Sequence, residues 1–225
     1  MSGPDISALL LTGWLALVTT LVLLIVGTPL AWWLARTSSR WRPAIEAMVA
    51  LPLVLPPTVL GFYLLLLFNP TAPIGAAWLW LSGDTLTFSF AGLVVASCMY
   101  SLPFMVQPLT SAFTALSRGP VEAAASLRAT PLDTFFSVVV PLSKRGFLTA
   151  AVLTFAHTLG EFGVVLMVGG NLPERTRVVS IAIYEHVETL AYTEAHTLSL
   201  ILLLTSFVVL TVVYASNRSQ AVRVG

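Results

Sequence analysis

Glu161 lies inside a long apolar stretch, and His157 precedes it by four residues. That spacing is one helical turn, so the two side chains share a face. A carboxyl and an imidazole so placed could relay a proton, latch a gate, or form a hydrogen-bonded pair that joins helices. An ionisable residue within a membrane span is a functional hypothesis in itself. The expectation is a structural or gating pair. Thr154 and Thr158 are also four apart and share a second face. Another charged group, Glu174, Arg175 and Arg177, sits in a polar stretch. Arginine pairs bind tetrahedral anions well. Here Glu174, Glu185, Glu188 and Glu194 outnumber them, so a docking surface or internal salt bridges are expected instead.

Other chemistries have no support. The sequence holds no G-x-x-x-x-G-K-[ST], and its one lysine, Lys144, follows no glycine, so the phosphate-cradling loop of nucleotide hydrolysis is missing. A single cysteine, Cys98, excludes an internal disulfide and a cysteine-based zinc site. No His-Glu-x-x-His or Gly-x-Ser-x-Gly occurs.

Composition says what must position these residues. Of the 225 residues 57% are hydrophobic and 9% charged, with a mean hydropathy of +0.91. Soluble domains carry about 25% charged residues, so the apolar excess must face lipid or a partner. The net charge of +1 argues against nucleic acid. A spanning helix needs about 20 apolar residues. Five stretches qualify: Ala8–Leu34, Ala44–Phe68, Phe88–Phe113, Phe147–Val168 and Leu198–Ala215. The first is read as a retained helix, because its flank carries Asp5 and no basic residue. Glu161 then stands about 21 Å above Phe147. Arg36, Arg40, Arg42, Arg118, Arg128, Lys144, Arg145, Arg218 and Arg223 fall on one side, against Arg175 and Arg177 on the other. Basic residues favour the cytoplasmic side, which puts the N-terminus outside and the C-terminus in the cytoplasm.

Prolines cluster in two spans: Pro52, Pro56 and Pro57, then Pro103 and Pro108. Interior prolines remove helical hydrogen bonds, and freed carbonyls in lipid need protein or a water-filled cavity over them. The cluster therefore suggests a broken helix beside a permeation path, with Thr58, Gly61, Ser101, Thr154 and Thr158 as candidate lining. The expected arrangement has the threonine face on the path and the His157–Glu161 pair packed beside it.

The stretch 116–145 is too long for a connector between neighbouring helices. Gly119-Pro120 and Glu122 suit a helix start. Thr130-Pro131-Leu132-Asp133 suits a second start, with Thr130 as N-cap. Two short helices are expected, with a bend near Arg128–Thr130. Within this stretch Glu122, Ala123, Ala124, Leu127, Arg128, Ala129, Phe135, Phe136 and Pro141 resemble the cytoplasmic EAA signature of ABC importer permeases. Pro141 stands nineteen after Glu122, as in the signature. Arg128 occupies the position of the signature's glycine. Leu51-Pro52-Leu53-Val54-Leu55-Pro56-Pro57, Leu159-Gly160-Glu161-Phe162-Gly163 and Asn171-Leu172-Pro173-Glu174-Arg175-Thr176-Arg177 resemble the molybdate branch of that family.

The resemblance implies an all-α type I importer permease fold: one domain over 1–225, five core spans and two short cytoplasmic coupling helices. It further implies a homodimer in a bacterial inner membrane, a cytoplasmic ATPase dimer carrying ATP and Mg on its own chains, and an extracytoplasmic oxyanion-binding protein. Residues 122–141 would couple to the ATPase, and Glu174, Arg175 and Arg177 would dock the binding protein. Molybdate is the implied cargo, with sulfate, thiosulfate and tungstate as alternatives of the same tetrahedral class. An ion-coupled secondary transporter would want several buried polar relays, and the sequence offers one. A membrane scaffold without transport is the third reading.

Overall fold

Lipid cannot hydrogen-bond a peptide group, so every interruption of a spanning helix must be covered by protein or face water. A computed structural model describes residues 3–218 and shows where this chain accepts such interruptions. Arg223, counted above in the charge bias, lies outside the described residues. Helix α1 (Gly3–Arg36) is apolar along its length and packs mainly against α5 (Phe90–Thr114). Two of its threonines return their hydroxyls to the preceding turn: Thr12 donates to the Ala8 carbonyl and Thr20 to Ala16, each at 2.7 Å.

The second predicted span is two helices, α2 (Arg42–Val54) and α3 (Pro57–Phe68), bent by 111°. Leu55 is extended, at φ −73° and ψ 136°, because the residue before a proline is pushed out of the helical region. Pro57 then starts α3 at a position where its missing N–H costs nothing. The short helix α4 (Pro73–Ser82) was not anticipated, although Pro73 at its start and Gly83 just after it, at φ 75°, are its signals. Helix α5 is capped by Ser89, whose Oγ accepts from Gly92 N, and runs on through both Pro103 and Pro108.

The expected fourth span also divides. Helix α8 (Lys144–Leu159) stops at Gly160, and α9 (Gly163–Gly169) begins three residues on. Phe162, at φ −130° and ψ −65°, is outside helical geometry. The interruption leans on the α2–α3 break. A Cβ on Gly163 would lie 2.8 Å from Cβ of Pro57, and one on Gly61 would lie 2.7 Å from Cβ of Met167, so only glycine allows this approach. Carbonyls at the break and at the end of α9 find partners from other segments. The Glu161 carbonyl accepts from Ser180 Oγ at 2.6 Å, the Val168 carbonyl from Phe88 N, and the Gly169 carbonyl from Thr176 Oγ1. Ser180 belongs to α10 (Val179–Glu188), a helix within what was expected as an outer loop. Helix α11 (Tyr192–Arg218) is the last span. Among the described residues three helices, α1, α5 and α11, are long and apolar enough to cross alone, and two bent pairs pass together, α2 with α3 and Pro131–Leu142 with α8, so the count reaches the expected five where each pair is one span.

Between α5 and α8 the chain forms α6 (Arg118–Ser126) and α7 (Pro131–Leu142), the latter with a π-helical turn over Phe135–Val139. The predicted bend is present. Ala129 N donates to the Ala124 carbonyl and Arg128 N to Ala125, the paired bonds of a Schellman motif. Thr130 Oγ1 then caps α7 by accepting from Asp133 N at 3.2 Å. Arg128 is left at φ 60°, the left-handed region that the signature's glycine would occupy without strain. That conformation costs a side chain about 1–2 kcal/mol.

Arg128→Gly should therefore stabilise the chain by about 1 kcal/mol, and Arg128→Val should destabilise it. Denaturant unfolding of the detergent-solubilised protein measures both. A Gly variant no more stable than the wild type would show that Arg128 is not strained.

Candidate functional site

The two breaks meet around a cavity of about 580 Å³. Helix α3 contributes Pro57 and Thr58, α5 contributes Tyr100, α8 contributes His157, and the interruption itself contributes Glu161 and Phe162. The chain reaches this arrangement because proline ends α2, glycine ends α8, and small residues let the two ends touch.

His157 is held on several sides. Its ring stacks on Phe104 at 4.0 Å between centroids and lies 4.8 Å from the Tyr100 ring. Nδ1 is 2.9 Å from Ser101 Oγ, which is 3.0 Å from Thr158 Oγ1, which donates to the Thr154 carbonyl at 3.0 Å. A carbonyl can only accept, so the Thr158 proton is committed there. Ser101 must then donate to Thr158, and His157 must donate from Nδ1–H to Ser101. The imidazole is thereby fixed with its lone pair on Nε2.

This geometry corrects the expected pairing. His157 is bonded to Ser101, while neither carboxyl oxygen of Glu161 has a hydrogen-bond partner among the described residues. The helix ends between them, so four-residue spacing no longer places them one above the other. Ser97 of α5 lies beside the Glu161 carboxyl without completing a hydrogen bond. Glu161 is 4% exposed.

The threonine face does not line this cavity. Thr154 and Thr158 are buried, with Ser101, against α5, and His157 and Glu161 face the cavity. Side chains 100° apart around α8 cannot all face one opening, and on the α5 side the Thr158 hydroxyl finds Ser101 while the Thr154 hydroxyl is buried without a partner among the described residues. Gly61 is buried in the α3–α9 contact instead of lining a path. Pro52 and Pro56 flank the bend outside the cavity, whereas Pro57 and Thr58 line it. Sequence reasoning passed over Tyr100 and Phe104. The available signal was a tyrosine with a polar tip inside a span, next to Ser101.

At the signature end of the bundle the EAA residues divide by burial. Phe135 packs into the base of the bundle, with ring centroids 5.6 Å from Trp32 and 6.3 Å from Phe113. Ala124 is buried, and Ala129 is half-buried. Glu122, Ala123, Leu127, Arg128, Phe136 and Pro141 are exposed, Leu127 by 84% and Phe136 by 65%. The surface is thus Leu127, Leu132 and Phe136 beside Glu122, and Phe135 is its anchor, not part of its face.

On the opposite side Arg177 is turned inward, to Glu185 at 3.2 Å, and Glu185 also accepts from Asn171. This corrects its assignment to an exposed docking set. Glu174 and Arg175 do stay exposed, with Arg175 3.9 Å from Asp84. Helix α10 is tied to the start of α1: Val179 N donates to Thr12 Oγ1 at 2.8 Å, and His186 Nε2 meets the buried Asp5 at 2.9 Å. On the outer face of α10 the Glu188 carboxylate accepts the Tyr184 hydroxyl and holds that phenol above its usual range.

The family model for a binding-protein-dependent transport system inner membrane component matches residues 27–224. The molybdenum transport system permease protein ModB of Azotobacter vinelandii is 59% identical over 221 residues, covering 98% of both chains. The sulfate transport system permease protein CysT of a Synechocystis strain is 33% identical, over 88% of this chain and 69% of its own. A crystal structure of a bacterial alginate ABC transporter, with an alginate pentasaccharide-bound periplasmic protein, contains a chain of the same fold. It aligns with a TM-score of 0.77 at 16% identity, over 97% of this chain and 80% of that one. A fold of bent and broken spanning helices, a signature segment at the bundle's base and a match over most of the sequence agree: this chain belongs to the family of binding-protein-dependent transport system inner membrane components.

Proposed function

We propose that the chain is the permease subunit of an ATP-driven importer of molybdate. The observation that carries the cargo is the 59% identity to a molybdenum permease across nearly all of both chains. The geometry supports transport, because a cavity between two helix breaks is where irregular backbone becomes tolerable in a membrane. The chain is a transport subunit, and ATP hydrolysis belongs to a separate subunit. Sulfate is the second reading, favoured by the 33% identity to a sulfate permease. Both cargoes are tetrahedral dianions.

Two copies would pair so that each cavity opens onto a common path. The exposed apolar residues of α2 and α3, among them Met48, Val54, Phe62 and Tyr63, suit such an interface. The segment 116–145 would couple to the ATPase through Leu127, Leu132 and Phe136, with Glu122 at the rim. Glu174 and Arg175 would meet the binding protein.

Three outcomes test this reading. A reporter active only outside the cytoplasm should work when fused at Asp84 or Leu172 and fail at Ser39 or Ala125; the reverse at any two loops would overturn the orientation. Glu122→Lys should detach the ATPase or uncouple it from uptake. Losing one charge-assisted contact of about 1.5–3 kcal/mol lowers affinity about tenfold or more, readable by co-purification. Unchanged uptake in that variant would remove Glu122 from the interface. Thr58→Trp should fill the cavity and block molybdate uptake into proteoliposomes while the subunit still co-purifies with its ATPase. Full uptake in that variant would place the path elsewhere.

A further inference from the structure

We propose that the cavity at the helix break binds a proton, shared between the Glu161 carboxyl and Nε2 of His157, and that the oxyanion passes only while this proton is held. The second half rests on the reading of the chain as a dianion permease. The first half rests on the cavity alone.

The polarity of the chain His157–Ser101–Thr158–Thr154 fixes Nδ1 as the donor and leaves Nε2 with the lone pair. His157 therefore offers this cavity an acceptor. Glu161 offers two more, both buried and without a partner among the described residues. The described lining contains no lysine or arginine. The titratable groups facing Glu161 from α5 are Tyr100 and Cys98, and neither supplies positive charge. From α3 comes the Thr58 hydroxyl, from α9 only apolar residues, and from α10 the Ser180 hydroxyl, already spent on the Glu161 carbonyl. An ionised Glu161 would have no countercharge in a low-dielectric site and would repel a dianion. The hydroxyls of Ser97, Tyr100 and Thr58 are neighbouring donors, but none carries positive charge, and two buried carboxyl oxygens with a facing Nε2 call for a positive ligand. A metal ion wants several ligands, and no cluster of three or more His, Cys, Asp or Glu exists among the described residues. A proton needs only the two groups present.

The step is simple. Water-borne hydronium gives its proton to a carboxylate oxygen of Glu161, forming one O–H bond and releasing water, with no oxidation. The new O–H donates to His157 Nε2 across the Gly160 bend. Forming this bond draws Glu161 and the start of α9 toward the end of α8, since nothing joins the two groups before the proton arrives. It also removes the fixed negative charge from the path. Ser101 and Thr158 are positioning residues that keep Nε2 available.

The test uses the complete complex, with ATPase and binding protein, in proteoliposomes. Molybdate taken up per ATP hydrolysed is followed from mildly acidic to alkaline pH, so that the ATPase's own pH response cancels. Wild-type coupling should be full at low pH and fall about tenfold per pH unit above the titration, the slope of one proton. Glu161→Gln, whose amide cannot deprotonate, should lose this dependence at whatever level it transports. Infrared spectra of the wild type at neutral pH should show a protonated-carboxyl C=O band that is missing in Glu161→Gln. His157→Leu should lower the pH at which that band titrates. A Glu161→Gln complex with the wild-type slope, or no such band in the wild type, overturns the proposal. Should the wild type carry the band yet take up no molybdate at any pH, the proton site stands and the cargo assignment fails.

Discussion

Everything in this molecule answers to the requirement that a peptide group inside a membrane find its partner within the protein. A permease needs an opening at mid-depth, and an opening means interrupted helices. The chain interrupts two spans, at Pro56–Pro57 and at Gly160–Phe162, and sets the interruptions against each other. Gly61 and Gly163 bring the backbones close enough for each break to shelter the other. The carbonyls that remain are taken by side chains from outside the spans: Ser180 for Glu161, and Thr176 for Gly169. The cost of the opening is thus carried by residues distant in sequence.

The same bonds link the two faces of the membrane protein to its middle. Helix α10 holds the Glu161 carbonyl through Ser180 and holds α1 through Thr12 and Asp5. A partner that displaced α10 would pull directly on the break. At the other end Phe135 packs on Trp32 and Phe113, and Phe113 packs on Phe147, so one aromatic cluster ties α7 to α1, α5 and α8. Around this anchor Leu127, Leu132 and Phe136 form an exposed apolar surface. Aromatic contacts thus hold the signature segment to the bundle at one end, and a few hydrogen bonds hold α10 to the break at the other.

Much of this was legible in the residues. Apolar run lengths determined five crossings, and the basic residues implied an orientation. Leu55-Pro56-Pro57 determined a broken span, since proline lacks the donor and constrains its predecessor. Thr130-Pro131 and Arg128 located the bend between the signature helices to the residue. These features are local: each depends on the conformational limits of one or two amino acids, which no tertiary context can remove.

Tertiary structure alone decided which side chains face the opening. Sequence spacing paired His157 with Glu161 and put the threonines on the path, because it assumed one continuous helix through Gly160. Gly160 allows the chain to end α8 there, but only contact with α3 and α10 makes the ending favourable. Once the helix ends, Glu161 leaves the face it shared with His157. Ser101, 56 residues away on α5, becomes the imidazole's partner. Likewise Arg177 reads as exposed until Glu185 is brought to it by a helix that the outer loop gave little sign of. Spacing determines faces within an unbroken helix, and hydrogen bonds between distant segments decide where helices break.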